Sequence, residues 1–187
     1  MIRLIDEFLS PLELKSVHEE IEKRGYTYGW KSATTEEHRH WNCSWGGERQ
    51  NPEIGDYDEP IDVYELPEIF QTIWGRLNKR MGYKHQLVRL YSNAYTYGTE
   101  GAIHYDSVVA ENITHLIYIT PAWDPRWAGE TVFLDSNDEI YRAVLPKAGR
   151  LVEFAGNIAH AARSVTKFCP KLRQIIVFKS IPIKEQE

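Results

Sequence analysis

The sequence predicts a mainly β protein with flanking helices, built as a double-sheet jelly roll or barrel. Three observations lead there. After Gly82 the chain turns into short apolar runs with period-two alternation, about eight in number. Turn-forming clusters separate these runs, and no helical period falls between them. Two helix signals come before them, each with a single apolar stripe that needs a sheet to cover it.

Taken in order, Ile2-Arg3-Leu4-Ile5 reads as a short strand. Ser10 can cap a helix, Pro11 fits its first position, and Glu13 completes a capping box. Leu14, Val17 and Ile21 form the buried stripe, and Gly25 supplies a left-handed stop. Residues 26–64 read as strands and long loops, with Tyr26, Tyr28, Trp30, Trp41 and Trp45 spread among Gly, Asn, Ser and charges. From Gln50 to Gly75 there is no Lys or Arg, yet Glu53, Asp56, Asp58, Glu59, Asp62, Glu65 and Glu68 all fall inside. This is a solvated acidic loop, or a flap that meets a cationic or polar substrate. A second helix runs from about Pro67 to Met81, with Ile69, Phe70, Ile73, Trp74, Leu77 and Met81 in helical period and Gly82 as its end. The strands that follow are His85–Tyr95, Ala102–Tyr105, Thr114–Thr120, Glu130–Leu134, Ile140–Leu145, Arg150–Phe154, Ala159–Ser164 and Leu172–Ser180. The two helices are expected to pack on one sheet. Lys184–Glu187 reads as a loose tail.

A chain of 187 residues fits one domain over 1–187, with a helical, lid-forming part over about 1–82 and a β core over about 83–180. The net charge of −5 and pI of 5.8 argue against a broad basic face for nucleic acid. No apolar run approaches the roughly 18–20 residues that span a bilayer. The first residues lack the pattern of a signal peptide, so a soluble, cytoplasmic protein is expected. Cys43 and Cys169 can make neither a disulfide framework nor a cysteine-only zinc site. There is no Ser-His-Asp arrangement and no phosphate-binding glycine loop.

The chemistry is concentrated in Asn93-Ala94-Tyr95-Thr96-Tyr97-Gly98 and Ile103-His104-Tyr105-Asp106. On a strand, His104 and Asp106 point to the same side, so an imidazole and a carboxylate can be adjacent ligands of one metal. His160, 54 residues after Asp106, is the best third ligand. Two histidines and a carboxylate on one face of an iron leave positions open, the facial triad used for oxygen activation. Spacing alone leaves other readings open: a hydrogen-bonded strand pair for His104 and Asp106, and a satisfied core histidine for His160.

Over about residues 83–180 the chain resembles the iron(II)- and 2-oxoglutarate-dependent oxygenase superfamily, particularly its prolyl-4-hydroxylase-like branch. Asn93-x-Tyr95-x-x-Gly98 followed by His104-x-Asp106 resembles the entry to the iron site. Leu116-Ile117-Tyr118-Ile119-Thr120-Pro121 resembles the next core strand, and Trp127-Ala128-Gly129-Glu130-Thr131-Val132-Phe133 the family's Trp-x-Gly-Gly-Glu-Thr-x-Phe run. Pro146-x-x-Gly149-Arg150-Leu151-Val152-x-Phe154 is similar to the strand before the distal histidine. His160-Ala161-Ala162-x-x-Val165 is similar to the distal motif, and Arg173-Gln174-Ile175-Ile176-Val177-Phe178 to the final strand. Two positions depart from the pattern. Ala128 stands where the family often has Gly, and 13 residues separate His160 from Arg173, more than is usual.

The resemblance implies a double-stranded β-helix, a jelly-roll, cupin-like fold. It also implies Fe(II), 2-oxoglutarate and O2, with room for ascorbate. The implied reaction couples decarboxylation of 2-oxoglutarate to succinate and CO2 with hydroxylation of a C–H bond. His104, Asp106 and His160 are the implied metal ligands and catalytic set. The distal cosubstrate carboxylate needs a cation, either Arg173 or Lys171; Arg173 is preferred because it begins the apolar strand and a guanidinium grips a carboxylate with two bonds. Tyr118, Tyr95 and Asn93 are further implied cosubstrate contacts.

The expected substrate is a prolyl residue in a protein or peptide, with a free amino acid or other small molecule as the alternative. Candidate substrate contacts are Arg163, Tyr97 and Trp41, then Trp45, Arg39, Arg49 and His115, with a flap from residues 31–62. The related nucleic-acid demethylase branch shares the Asn-x-Tyr-x-x-Gly…His-x-Asp run. Negative charge and the absence of an evident basic-aromatic lid argue against it. A catalytically silent binding module is the reading from another class; the intact His104, Asp106, His160 and Arg173 set argues against it.

Overall fold

The computed structural model describes residues 1–32, 38–47 and 59–183. The first elements follow their local signals. Strand β1 spans Ile2–Ile5 and helix α1 spans Pro11–Arg24. The Glu13 N–H donates to Ser10 Oγ, and the Ser10 N–H donates back to the Glu13 carboxylate at 2.8 Å, which closes the capping box. Gly25 has φ 78° but ψ 158°, so it ends α1 by turning the chain into extended geometry, not in the left-handed helical well.

The aromatic stretch after α1 holds two strands, β2 (Thr27–Trp30) and β3 (His40–Gly46), and helix α2 spans Glu68–Arg80. The β region then runs β4 (His85–Tyr95), β5 (Ile113–Tyr118), β6 (Thr131–Leu134), β7 (Ile140–Val144), β8 (Leu151–Ala155), β9 (His160–Ala162) and β10 (Arg173–Pro182). The strand expected over Ala102–Tyr105 does not form. Only His104 pairs, as an isolated antiparallel bridge to His160 with backbone bonds of 3.0 Å in both directions. Glu53, Asp56 and Asp58, Arg49, much of the 31–62 flap and the Lys184–Glu187 tail lie outside the described residues.

Two antiparallel sheets result. The larger has the order β1-β8-β5-β10-β4-β3-β2, and the smaller β7-β6-β9. Strand periodicity divides the large sheet into two faces. On one face Leu90, Ile117, Leu151, Ile176 and Phe178 pack with Leu14, Val17 and Ile21 of α1 and Phe70, Ile73, Trp74 and Leu77 of α2. Both helices therefore cover the same sheet, as their single stripes require. On the other face Tyr91, Tyr95, Leu116, Tyr118, Val152, Phe154, Ile175 and Val177 meet Phe133, Val144 and Ala162 from the small sheet. The site lies between the two sheets. Among the described residues no helix is long and apolar enough to cross a membrane.

Two backbone positions explain motif residues. Gly149 has φ 73°, and a Cβ there would sit 2.4 Å from the Leu9 carbonyl oxygen, which is backbone and cannot swing away. Gly149→Ala is expected to destabilise the protein by about 2–4 kcal/mol, combining positive-φ strain with a backbone clash. Urea unfolding tests this, and a loss within about 0.5 kcal/mol, the usual scatter of neutral surface changes, would contradict it. Ala128 adopts φ 56° and ψ −133°, a region that favours glycine. That is the physical reason for the glycine usual at this point.

Candidate metal centre

The inner face of the large sheet reads as rows of cross-strand neighbours. Arg173, Tyr95 and His40 form one row across β10, β4 and β3. Tyr118, Ile175, Asn93 and Asn42 form the next. Thr114, Lys179 and Arg89 form a third at the far end of β10. The small sheet and the 102–106 segment close over these rows and bring the histidines in from above.

His104, Asp106 and His160 converge, each offering one ligand atom, all within 4.8 Å of one another. His104 Nε2 lies 3.5 Å from Asp106 Oδ1, and His160 Nε2 lies 3.6 Å from Asp106 Oδ2. The backbone bridge between His104 and His160 sets the two rings with centroids 4.4 Å apart. Each ring is oriented by its other nitrogen. His104 Nδ1 donates to the Ala102 carbonyl at 2.8 Å, and His160 Nδ1 donates to the Ile158 carbonyl at 2.9 Å. Both Nε2 lone pairs are thereby left for a metal, with the carbonyl partner fixing the tautomer.

Asp106 is oriented by Thr114 Oγ1, which donates to Oδ2 at 2.6 Å, and by Lys179 Nζ, which donates to Oδ1. Burial pushes the Asp106 pKa up, but Lys179 and His160 outweigh it and hold the carboxyl well below the ordinary range. It is therefore an anion at neutral pH. A carboxylate has about four lone-pair sites, so these two bonds leave room for an ion. Burial pushes His160 down to about 4, opposed by Asp106, so its imidazole is neutral and able to ligate. The donor set fits a divalent metal of the kind that takes two imidazoles and one carboxylate.

Arg173 is fully buried. Its Nε donates to the Gly129 carbonyl and its Nη2 to Thr131 Oγ1 at 2.8 Å. Its Nη1 has no hydrogen-bond partner among the described residues. A buried guanidinium with one N–H pair unmet is costly without an anion, and this fits a cosubstrate carboxylate. Lys171 is exposed and 6.0 Å from the Trp127 ring centroid, outside the cavity. Of the two cations that spacing left open, Arg173 is the buried one, against Tyr95 and Thr131 of the cavity lining.

Asn93 and Tyr95 line the cavity, linked by Asn93 Nδ2 donating to Tyr95 Oη at 3.3 Å. Tyr118 does not offer a free donor. Its hydroxyl donates to the Val144 carbonyl at 2.8 Å and contacts Thr131 Oγ1 at 2.7 Å. Because Thr131 also accepts from Arg173, Tyr118 braces the guanidinium from behind.

The three expected substrate contacts are not brought to the cavity. Trp41 pairs with Ala94 and so projects from the opposite face to Asn93 and Tyr95, its ring tilted against that of Tyr28 with centroids 5.0 Å apart. Tyr97 lies past the end of β4 and is 66% exposed. Arg163 follows β9 and is exposed. Trp45 packs on Phe70 of the helix layer, and Arg39 is exposed. His115 is buried on the helix face beside Phe178, 3.4 Å from Glu153. Strand parity turns Trp41 and His115 to the other face of the sheet, and Tyr97, Arg163 and Arg39 stand exposed outside the cavity lining.

In their place the cavity is lined by Trp30, Ser32, Arg89, Tyr91, Thr114, Thr131 and Lys179. A parity signal pointed to some of these. Arg89 and Tyr91 alternate in step with Asn93 and Tyr95, and Lys179 in step with Arg173.

His40 is fully buried and stacks on Tyr95 at 4.7 Å, with neither ring nitrogen hydrogen-bonded among the described residues. Burial, with His104 and Arg173 nearby, pushes its pKa down to about 4. The unfolded chain gains this proton near pH 6.5 and the fold resists it, so stability is constant above pH 6.5 and falls from there towards pH 4. Between pH 7.5 and pH 5 the wild type is expected to lose about 2 kcal/mol more than His40→Phe, at 1.4 kcal/mol per unit below 6.5. Equal losses in chemical denaturation at the two pH values would show that His40 carries none of the acid sensitivity.

Residues 90–178 match the model of the 2OG-Fe(II) oxygenase superfamily. No curated protein matches the sequence significantly. Among solved structures, an oxidoreductase of the 2OG-Fe(II) oxygenase family from Burkholderia pseudomallei aligns with TM-score 0.70 and 15% identity, over 96% of this chain and 84% of that one. A viral collagen prolyl hydroxylase from Paramecium bursaria Chlorella virus-1, in complex with 2OG, aligns with TM-score 0.66 and 15% identity, over 96% of each chain. A non-heme α-ketoglutarate-dependent epimerase from nogalamycin biosynthesis aligns with TM-score 0.65 and 11% identity, over 97% of this chain and 76% of that one. At these identities the alignments speak to fold, which is the double-stranded β-helix of such oxygenases. The β core of this chain, residues 90–178, thus matches the 2OG-Fe(II) oxygenase superfamily, a family that implies Fe(II) as metal and 2-oxoglutarate and O2 as cosubstrates, and it carries a candidate His-Asp-His iron site.

Proposed function

We propose that this protein is a hydroxylase that uses Fe(II) and 2-oxoglutarate to convert a C–H bond of a prolyl residue in a protein or peptide to C–OH. The observation that carries the reaction class is the pairing of a ligand cluster in the cavity with a buried cation that lies behind its lining residues Tyr95 and Thr131. His104, Asp106 and His160 converge, and Arg173 is buried with Nη1 unpartnered. In this reading His104, Asp106 and His160 hold the iron. Arg173 receives the distal carboxylate of 2-oxoglutarate, with Asn93 and Tyr95 beside it. Bound iron supplies oxygen activation coupled to decarboxylation of the cosubstrate to succinate and CO2.

The protein's own residues do three things. Ala102 and Ile158 carbonyls hold the two imidazoles in the ligating tautomer. Thr114 and Lys179 hold Asp106 ionised and oriented. Thr131, braced by Tyr118, keeps the Arg173 fork fixed, so little reorganisation is needed when an anion arrives. Leu116, Ile175 and Val177 add an apolar patch to a cavity lining that is otherwise mainly polar.

The prolyl substrate is supported by the fold shared with the viral collagen prolyl hydroxylase over nearly the full length of both chains. A free amino acid or other small molecule is the second reading, favoured by the buried cations Arg89 and Lys179 in the cavity wall. The test is an anaerobic titration of 2-oxoglutarate into the Fe(II)-loaded protein, followed by its visible charge-transfer band. Proline-containing peptides are then assayed for a gain of one oxygen by mass. A saturable band with succinate release supports the reaction class, whereas tight iron binding with no band would turn the reading towards a silent binding module.

A further inference from the structure

Tyr95 and Tyr118 both pack against the Arg173 guanidinium, with ring centroids 5.1 and 5.3 Å from its carbon. Their hydroxyls differ. The Tyr118 hydrogen goes to the Val144 carbonyl. The Tyr95 oxygen accepts from Asn93 Nδ2 at 3.3 Å, and its own hydrogen has no acceptor among the described residues. Tyr95 lines the cavity, is buried, and has its ring stacked on His40 at 4.7 Å. Burial pushes its pKa up to about 12, so the hydroxyl keeps its proton. A buried O–H without an acceptor is costly, and it points to a ligand that supplies one. The direction of the Asn93 bond is set one strand away. Asn42 on β3 is the cross-strand partner of Asn93, and its Nδ2 donates to Asn93 Oδ1 at 2.8 Å. With that oxygen occupied, the Asn93 amide presents its NH2 to Tyr95.

We propose that Asn42 is a positioning residue for the cosubstrate: it holds the Asn93 amide in one orientation and so leaves the Tyr95 hydroxyl to donate to the 2-oxoglutarate carboxylate that Arg173 receives. This rests on the hydroxylase reading, and it adds a residue from outside the 90–178 core. Three polar groups in a row can hydrogen-bond in either direction, and the outermost member decides which. With Asn42 as donor, every bond runs inwards and the last hydrogen, on Tyr95, is directed away from Asn93. A group at position 42 that only accepts would reverse the row. Asn93 would turn its NH2 outwards, and Tyr95 would give its hydrogen to Asn93 Oδ1. Asn42 is half-buried and does not line the cavity, so its effect passes through Asn93 and Tyr95.

The test is calorimetric titration of 2-oxoglutarate into Mn(II)-loaded protein, for the wild type, Asn42→Asp, Tyr95→Phe and the double variant. Tyr95→Phe is expected to weaken binding roughly 10- to 100-fold, the effect of one hydrogen bond to a charged group. Asn42→Asp is expected to weaken it by about 10-fold or more when Tyr95 is present. In the Tyr95→Phe background it should add no more than about twofold, the ordinary scatter of independent changes. A carboxylate at position 42 that merely repelled the dianion, or merely disturbed packing, would weaken binding equally in both backgrounds, and that result would overturn the proposal. Asn42→Leu removes the donor without adding charge. It is expected to fall between the wild type and Asn42→Asp, again only while Tyr95 is present, and it carries the test if Asn42→Asp does not fold. Unchanged affinity in Tyr95→Phe, or in both position-42 variants, equally overturns the proposal. Absence of Mn(II) or 2-oxoglutarate binding in the wild type would instead indict the hydroxylase reading, whereas wild-type binding without coupling between positions 42 and 95 indicts the positioning role alone.

Discussion

His160→Ala is expected to bind Fe(II) weakly and to lose turnover by more than about 1,000-fold, because the proposed reaction has no route without the metal. His160 is buried and supplies one of three converging ligand atoms, and its carbonyl-fixed tautomer points the lone pair at the site. The substitution also removes packing, since the ring sits 4.7 Å from Phe154. A parallel variant separates the two effects. His104 is more exposed, at 18% of its side chain, so His104→Ala disturbs the core less while deleting an equivalent ligand. Both variants should keep their folded far-ultraviolet signal and both should lose the 2-oxoglutarate charge-transfer band. Full activity in either one would remove that residue from the metal site.

Arg173→Ala is expected to weaken 2-oxoglutarate binding by roughly 100-fold or more while leaving Fe(II) affinity in place. A carboxylate held by two charge-assisted hydrogen bonds gains about 3 kcal/mol or more, and burial strengthens each bond. Arg173→Lys should recover only part of this, because an ammonium keeps the charge but cannot reproduce the fork held by Gly129 and Thr131. Lys171→Ala should change nothing, since that side chain is exposed at the turn. The readout is the dissociation constant from the anaerobic titration. An unaltered value in Arg173→Ala would mean that the distal carboxylate is held elsewhere. A loss of thermal stability is expected alongside, because removal of the guanidinium leaves the Gly129 carbonyl without its buried donor.

The local signals read best where one short stretch contains all its causes. The capping box at Ser10 and Glu13, the stripe of α2 and the full span of β4 are such cases, and they appear at or within a residue or two of their expected limits. Arg163, Tyr97 and Trp41 are not among the residues that line the cavity. Their chemistry suited a substrate site, but their position depended on register and on strand ends, which local composition does not encode. Trp41 faces the wrong side of β3 because Ala94 is its partner, and a one-residue slip would have reversed that. The expected strand at Ala102–Tyr105 failed for a related reason. That segment meets a partner only at His160, and one bridge does not make a ladder.

Most of the element order, the two-faced character of the strands and the types of side chain available as ligands are legible along the chain. Those depend on period, capping and residue chemistry, all short-range properties of the chain. The tertiary structure alone decided which side chains share a cavity. His160 meets Asp106 across 54 residues of chain because β9 pairs with the 104 segment and β6. Arg173 and not Lys171 enters the core because β10 starts there, between β4 and β5. Arg89, Lys179 and His40 become wall residues only when separate strands align in rows. Such contacts are set by sheet register and by the closure of two sheets on one another, and that is a property of the assembled fold.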